Sequence, residues 1–333
     1  MLIASIIIVN YNGESFLSNC FQSLEKQTMT DFEVILVDNA STDRSLEVIN
    51  QTRDNVYPFS LKVILLDKNK GFAGGNIEGL QYTTGMFIAL LNPDTEVEPL
   101  WIEELIKAMK THSEVGICAS KLITHTTNLI DSAGDGFATI LKGYKRGEGK
   151  PAEEFNMSEF VFGACAGACL YRREMINEIG FLDEDFFLIH EDTDLNLRAQ
   201  LAGWKCIYVP SAVVYHHVHA SIGNMSDISI YYNLRNCDFV KIKNISLIVF
   251  IRNIIPILFS MVTEFFYFAI KHKKLFLYLK AKKEVISSFS TYYKKRKDIF
   301  KIKSVSDSYL QGLLTPIYEK GFFMSKVKKL LCQ

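Results

Sequence analysis

The run Met86-Phe87-Ile88-Ala89-Leu90-Leu91, followed at once by Asn92-Pro93-Asp94-Thr95-Glu96, constrains the chain more than any other stretch. Six apolar residues without interruption are the pattern of a strand buried on both faces, as in a parallel sheet. Pro93 has no N–H to give a ladder, so the strand stops there. Asp94 then stands just past the carboxyl end of a central strand, the edge at which open α/β sheets bind ligands. A carboxylate there suits a hard divalent cation, and a cation there suits a diphosphate. The plainer reading of Asp94 is a turn aspartate after proline.

The surrounding sequence supplies the rest of such a sheet. Residues 3–9 read as a β-branched buried strand, left through the turn Asn10-Tyr11-Asn12-Gly13. Residues 14–27 carry a helical stripe of Phe16, Leu17, Cys20, Phe21 and Leu24. A second strand over 32–37 ends at Asp38-Asn39-Ala40-Ser41-Thr42-Asp43, where Ser41 or Thr42 can cap a helix. A third strand over 61–66 leads into Lys68-Asn69-Lys70-Gly71-Phe72-Ala73-Gly74-Gly75-Asn76 and a helix over about 76–82. Pro99 suits the first turn of a helix over 99–111, and 115–119 add a strand. This alternation predicts an α/β fold with a parallel sheet, right-handed crossovers and a nucleotide-binding first half.

Residues 121–160 are rich in Gly, Thr and charge and read as a loop-rich insertion near the site, with turns between short strands at Asp131-Ser132-Ala133-Gly134-Asp135-Gly136. An apolar strand over 160–171, a short helix over 173–179 ended by Gly180, a helix over about 192–202 ended by Gly203 and a strand over 204–209 follow, and residues 213–219 close the core region. Beyond about residue 226 the composition shifts. Residues 228–242 look helical, and 245–270 are mostly apolar but carry Arg252, Asn253, Pro256 and Glu264. A bilayer core wants about 20 residues with few or no charges. Amphipathic helices lying on a membrane or packed on the domain fit better than a span. Lysines at 271, 273, 274, 280, 282 and 283 and the cluster Lys294-Lys295-Arg296-Lys297 suit an anionic surface. The domain division expected is 1–225 and a basic helical extension over 226–333.

Lys plus Arg and Asp plus Glu both number 37, so no overall field recruits nucleic acid. The seven cysteines include no pair at zinc-finger spacing beside a second Cys or His pair, and they read as buried thiols in a reducing compartment. The N-terminus lacks a basic segment and a cleavage site, so it reads as a first strand rather than a signal peptide.

Several residues carry candidate chemistry, each with a structural alternative. Asp38 at a strand end can accept from a base N–H or a ribose hydroxyl, or can be a turn aspartate. Gly71, Gly74 and Gly75 with Lys70 and a helix start near Asn76 can bring backbone amides to phosphate, though the spacing matches neither common phosphate loop. Asp183, Glu184, Asp185, Glu191, Asp192 and Asp194 crowd into twelve residues. Acids at a helix start complement its dipole, but such crowding is costly without a cation or a proton-transfer role. His216, His217 and His219 follow a strand, where imidazole suits Mn²⁺ or zinc.

Taken together and in order, Ser5-Ile6-Ile7-Ile8-Val9-Asn10-Tyr11-Asn12, Val37-Asp38-Asn39-Ala40-Ser41-Thr42-Asp43, Asn69-Lys70-Gly71-Phe72-Ala73-Gly74-Gly75-Asn76, Leu91-Asn92-Pro93-Asp94-Thr95, Phe187-Leu188-Ile189-His190-Glu191-Asp192-Thr193-Asp194-Leu195 and Tyr215-His216-His217 resemble glycosyltransferase family 2, of GT-A fold. The likeness covers about residues 3–240 and is greatest to bacterial rhamnosyltransferase-type members. It implies an inverting transfer of a sugar, rhamnose or another hexose, from a nucleotide diphosphate donor to a glycan or lipid-linked acceptor in cell-surface polysaccharide assembly. By position, Asp38 touches the nucleobase with Asn10 and Asn12 near it. Asp94 stands for the last acid of the D-x-D motif and ligates Mg²⁺ or Mn²⁺, while Asn92 replaces the first acid. His216 is the further ligand, with His217 as the alternative, and Asp192 is the general base. A cytoplasmic location, peripheral at the inner face of the cell membrane, is the matching expectation.

Rival classes fit less well. A dinucleotide oxidoreductase lacks its G-x-G-x-x-G after the first strand. A synthase with its own channel needs several clean spans. A non-catalytic nucleotide-sugar-binding module of the same fold is the alternative that transfer assays decide.

Overall fold

The structure is a computed structural model that describes residues 2–54, 56–217 and 226–317; His219 lies outside the described residues. β1 (Ala4–Asn10) and β2 (Phe32–Asp38) are buried along their whole lengths and pair in parallel, with Asn10 opposite Asp38. β3 (Ser60–Leu65) is a half-exposed edge beside β2, and β4 (Phe87–Leu91) lies on the other side of β1, both parallel. The intervening helices are α1 (Leu17–Glu25), α2 (Ser45–Asp54) and α3 (Gly71–Leu80). All three strands β1, β2 and β4 therefore deliver their carboxyl ends to one edge, as the alternating pattern predicts.

β5 (Thr95–Val97) and α4 (Trp101–Thr111) follow the central strand. Trp101, Leu105 and Met109 of α4 and Phe21 and Leu24 of α1 fill the core on one face of the sheet. Trp101 closes that core with its indole N–H donating to Ser120 Oγ at 2.9 Å. On the other face α3 lies unusually close to β1. A Cβ on Gly75 or on Gly79 would stand 2.6 Å from a methyl of Val9 or Ile7. The glycine-rich stretch is thus the first turns of a helix starting at Gly71, not a loop before one at about residue 76. Gly75 and Gly79 serve helix-to-strand approach, while Gly71 and Gly74 abut Phe187 and Lys70.

The stretch expected to be loop-rich, with turns between short strands, is short strands joined by turns. β6 (Val115–Thr124), β7 (Ile130–Ala133), β8 (Asp135–Ala138) and β9 (Gly143–Lys145) run through it, and Asp131, Ser132 and Asp135 are buried. The apolar run over 160–171 is two strands, β10 (Glu159–Val161) and β11 (Ala168–Arg172). Between them Asn196 takes over the ladder's role, accepting from Ala164 N at 3.3 Å and donating to Ala164 O at 3.0 Å. After α5 (Arg173–Ile179) and α6 (Glu191–Ala202), β12 (Lys205–His216) runs on past the expected strand end at Val209, with a register shift between Val209 and Val213, next to Pro210. The sheet order is β10-β12-β6-β11-β4-β1-β2-β3, with β11 antiparallel to both neighbours.

The C-terminal part comprises α7 (Asp227–Asn244), α8 (Leu247–Arg252), α9 (Ile254–Phe265), a π-helical continuation at Phe266–Lys271, α10 (Leu275–Ser287), α11 (Phe289–Ile302), α12 (Asp307–Gly312) and β13 (Leu314–Thr315). It is joined to the α/β half: β13 pairs with β8, and Phe186 packs with Phe239 and Tyr292, whose rings stack at 3.7 Å.

Candidate active site

The carboxyl edge of β1 and β2 holds a closed polar cluster. Asn10 Nδ2 donates to Asp38 Oδ1 at 3.0 Å, and Asp38 also accepts from Ser41 Oγ at 2.6 Å and Ser41 N at 3.1 Å. Asn12 N donates to Ser41 Oγ at 3.0 Å, and Thr42 N donates to Asn12 Oδ1 at 2.8 Å. Asn12 and Ala40 hold positive φ to make this turn. The predicted trio Asn10, Asn12 and Asp38 thus stands together, and Asn10 Oδ1 is buried without a partner among the described residues.

Lys70, Gly71 and Asn76 border this edge but are engaged internally. Lys70 pairs with Glu78, Lys70 N donates to Asn39 Oδ1 at 2.8 Å, and Asn76 Nδ2 donates to Phe72 O at 2.9 Å. Gly71 has φ +71°, and a Cβ there would meet Phe187 O at 2.3 Å. The start of α3 is therefore capped by the Phe187 backbone, with Ala73 N donating to Phe187 O at 3.1 Å.

Asp94, only 5% exposed, lies beyond β4, and its Oδ1 has no hydrogen-bond partner among the described residues. His216 Nε2 stands 3.5 Å from that oxygen, and His216 Nδ1 is 2.9 Å from Asp131 Oδ2. Lys145 Nζ in turn donates to Asp131 at 2.7 and 2.9 Å. Burial by itself lowers the His216 pKa, but Asp131 and Asp94 outweigh it and raise it to about 9. Asp131 is held down at about 2: burial opposes this, but His216 and Lys145 prevail. A buried carboxylate oxygen 3.5 Å from an imidazole whose other nitrogen is fixed by a second carboxylate has the donor types of a metal ligand pair with an outer support. The residues fit a divalent cation: two donors of one octahedral ion stand about 3 Å apart, close to the spacing here. Asn92 N donates to Gly167 O at 2.8 Å, and the Asn92 side chain faces that glycine.

His217 does not join Asp94. Alternation along the strand end turns it to the opposite side, where its Nε2 is 3.1 Å from Glu96 Oε1. His216 and not the neighbouring histidine shares the Asp94 edge.

Asp192 opens α6 and is half-buried. Its Oδ1 accepts from Thr193 N at 2.6 Å, and its Oδ2 lies 3.5 Å from Ala166 N, one residue from the glycine that binds Asn92 N. Burial and the Asp192 charge push Asp135 well above the usual carboxylate range. They also push Glu191 up to about 8, with its Oε2 buried and without a partner among the described residues. Of the crowded acids, Asp183 and Asp194 are neutralised structurally. Lys243 Nζ bonds both at 2.7 and 2.8 Å, and Arg198 Nε donates to Asp194 at 2.9 Å. The segment before Asp192 is strained, since Phe187, Ile189 and His190 all have positive φ. Asn236 Nδ2 of α7 holds it through Phe186 O, Leu188 O and Ile189 O at 2.8, 2.8 and 2.7 Å. Asp131, Lys145, Asp135 and Asn236 were not singled out from sequence. Only the Asp131–Asp135 turn hinted at any of them, and nothing local marks Asn236.

The family model for Glycosyl transferase family 2 matches residues 5–180, more than half of the chain. An N-acetylglucosaminyl-diphospho-decaprenol L-rhamnosyltransferase of Mycobacterium tuberculosis is 27% identical over 242 residues, 66% of this chain and 77% of that protein. EpsH of Bacillus subtilis is 24% identical over 224 residues, 65% of this chain but only 61% of its own length. Among solved structures, S. aureus TarS 1–349 in complex with UDP-GlcNAc superposes with a TM-score of 0.58 at 17% identity, covering 93% of this chain and 92% of that one. GalNAc-T7 with UDP, GalNAc and Mn²⁺ gives 0.58 at 17% identity over 73% of this chain and 50% of that one. These likenesses assign the GT-A fold. With an unpartnered carboxylate at the strand edge and a matching family model over the α/β half, the chain belongs to glycosyltransferase family 2.

Proposed function

We propose that the chain transfers a hexose, rhamnose being one candidate, from a nucleotide diphosphate donor to a hydroxyl of a glycan or lipid-linked acceptor, with inversion, in cell-surface polysaccharide assembly. The supporting observation is the buried relay Asp94–His216–Asp131–Lys145, which reaches toward Asp135 and Asp192 along one sheet edge. Asn10, Asn12 and Asp38, joined in one polar cluster, would take the base and ribose. Asp94 and His216 would hold Mg²⁺ or Mn²⁺, which when bound supplies charge stabilisation to the departing diphosphate. Asp192, at the mouth of α6, takes the proton of the attacking hydroxyl. Glu191, kept neutral by burial near pH 7, leaves Asp192 as the free base of the pair.

The test pairs two variants. Asp94→Asn should abolish metal-dependent thermal stabilisation by nucleotide diphosphate sugars. Asp192→Asn should keep that stabilisation while turnover falls about 10²–10⁴-fold. Turnover near wild type in Asp192→Asn removes it from the role. A donor that stabilises the wild-type protein without transfer or hydrolysis would favour a non-catalytic binding module.

The lipid side of the proposal rests on the C-terminal helices. Residues Ile254–Lys271 form one helix long and apolar enough to cross a bilayer, with mean hydropathy 1.6 and 11% of it buried. Its Ile257, Ser260 and Glu264 face the protein, and Glu264 is paired with Lys142 and Lys282. A helix fixed along the domain on one side suits lying in the membrane interface better than crossing it. Around it Ile251, Ile255, Leu258, Phe259, Phe266 and Phe276 are each more than half exposed, beside the lysines of residues 271–283. This surface would seat the enzyme on the anionic inner face of the cell membrane. Absence of flotation with anionic liposomes would count against it.

A further inference from the structure

A second constellation lies on the far side of the strand end from Asp94. Glu96 of β5, His125 in the turn after β6, and His217 just past β12 each offer a donor atom, and the three lie within 4.8 Å of one another. Both imidazoles address one oxygen: His217 Nε2 is 3.1 Å and His125 Nε2 3.5 Å from Glu96 Oε1. The two rings stack at 3.9 Å between centroids. Backbone bonds fix all three, since β12 pairs with β5, His217 N donates to Asp94 O at 2.9 Å and His125 N donates to His216 O at 3.0 Å.

We propose that Glu96, His125 and His217 bind a Zn²⁺ ion, separate from the donor-site cation. Ligands at about 2.0–2.1 Å from a tetrahedral zinc stand about 3.3 Å apart, between the two carboxylate-to-imidazole spacings observed, and binding requires the exposed His125 ring to turn out of its stack on His217 so that both nitrogens aim at the ion. Two neutral imidazoles and one carboxylate form a borderline donor set that selects zinc over the hard ions expected at Asp94. The fourth position faces solvent, because His125 is exposed and the other two side chains are partly so. The ion would tie the β6–β7 turn and the end of β12 to β5, and so steady the backbone that carries Asp94 and His216. The site goes beyond the proposed transfer reaction and stands or falls apart from it.

The experiment titrates the purified full chain with ZnCl₂, reading stoichiometry by calorimetry, melting temperature, and the visible spectrum after Co²⁺ substitution. One equivalent of Zn²⁺, a raised melting temperature and a tetrahedral Co²⁺ spectrum are expected. His125→Ala and His217→Ala should each weaken binding at least tenfold, while Asp94→Asn should retain the full equivalent. His125 is exposed, so its variant should fold as the wild type does. No Zn²⁺ binding by the wild type overturns the proposal. So does binding that survives in His125→Ala and His217→Ala but is lost in Asp94→Asn, which would place the ion at the donor edge. Loss of donor stabilisation in Asp94→Asn with Zn²⁺ still bound separates the two sites.

Discussion

What an acid does here depends on who shares its oxygens. Asp183 and Asp194 spend theirs on lysine and arginine and are scaffold, whereas Asp192 keeps one oxygen nearly free and Asp94 keeps one that meets only His216 Nε2, at 3.5 Å, among the described residues. The same logic gives Asp131 a task, since it fixes the ring of His216 through Nδ1. Partners of this kind typically govern metal affinity by about 10–100-fold. Asp131→Asn is therefore expected to weaken Mn²⁺ binding by about that factor, measured by calorimetry in the presence of donor nucleotide; unchanged affinity would take Asp131 out of the site. Asn236 is a positioning residue of another sort. Its amide steadies three carbonyls of the strained turn before Asp192, and burying carbonyls without donors costs about 1–3 kcal/mol each. If Asp192 is the base as proposed, Asn236→Leu should lower kcat by about 10²-fold, the cost of misplacing it, while donor-induced thermal stabilisation, which the same proposal assigns to the Asp94 edge, persists. Equal loss of donor binding would show general unfolding instead.

At the scale of elements, the exposed faces of α8, α9 and α10 are the testable part. Ile255, Phe259 and Phe276 are 78%, 53% and 82% exposed, so changing them should leave the fold alone. Each would bury about 1.5–3 kcal/mol worth of apolar surface on entering an apolar phase. Ile255→Ser, Phe259→Ser and Phe276→Ser together should lower liposome partitioning more than tenfold at an unchanged melting temperature, and partitioning equal to wild type would leave this face without a membrane role. The elements also show which features a sequence discloses. The run 86–91 with Pro93 announced a central strand and placed Asp94 correctly, because burial on both faces and the missing N–H act locally. The glycines of α3 misled, because their cause is the touch of Val9 and Ile7, more than sixty residues away. Asp131 and His216 are 85 positions apart, so their bond left no local trace, and the alternation that separates His216 from His217 needed the strand register to be read.

For the molecule as a whole, buried ion pairs join the α/β half to the C-terminal helices. Asp183 meets Lys243 of α7 and Lys295 of α11, Asp194 meets Lys243, and Glu264 of α9 meets Lys142 of the α/β half and Lys282 of α10. Burial alone would raise the Asp183 pKa, but Lys243 and Lys295 outweigh it and bring it from 3.8 to about 2. Glu264 is lowered in the same way, with burial opposed by Lys142 and Lys282. A carboxylate with a depressed folded-state value stabilises fully above its unfolded value, and that contribution is lost as pH falls through the folded one. The window is therefore roughly pH 4 down to 2, with Asp183 alone contributing on the order of 2 kcal/mol at its top. Protonation there strips partners from lysines that stay buried, so the helices should loosen from the sheet before the sheet itself melts. Hydrogen exchange at pH 3 should show α7, α9 and α11 losing protection ahead of β1, β2 and β4. Asp183→Asn, less stable at neutral pH, should show a flatter fall in melting temperature between pH 4 and 2 than the wild type. A parallel fall in both proteins would mean that this ion pair does not couple the two halves.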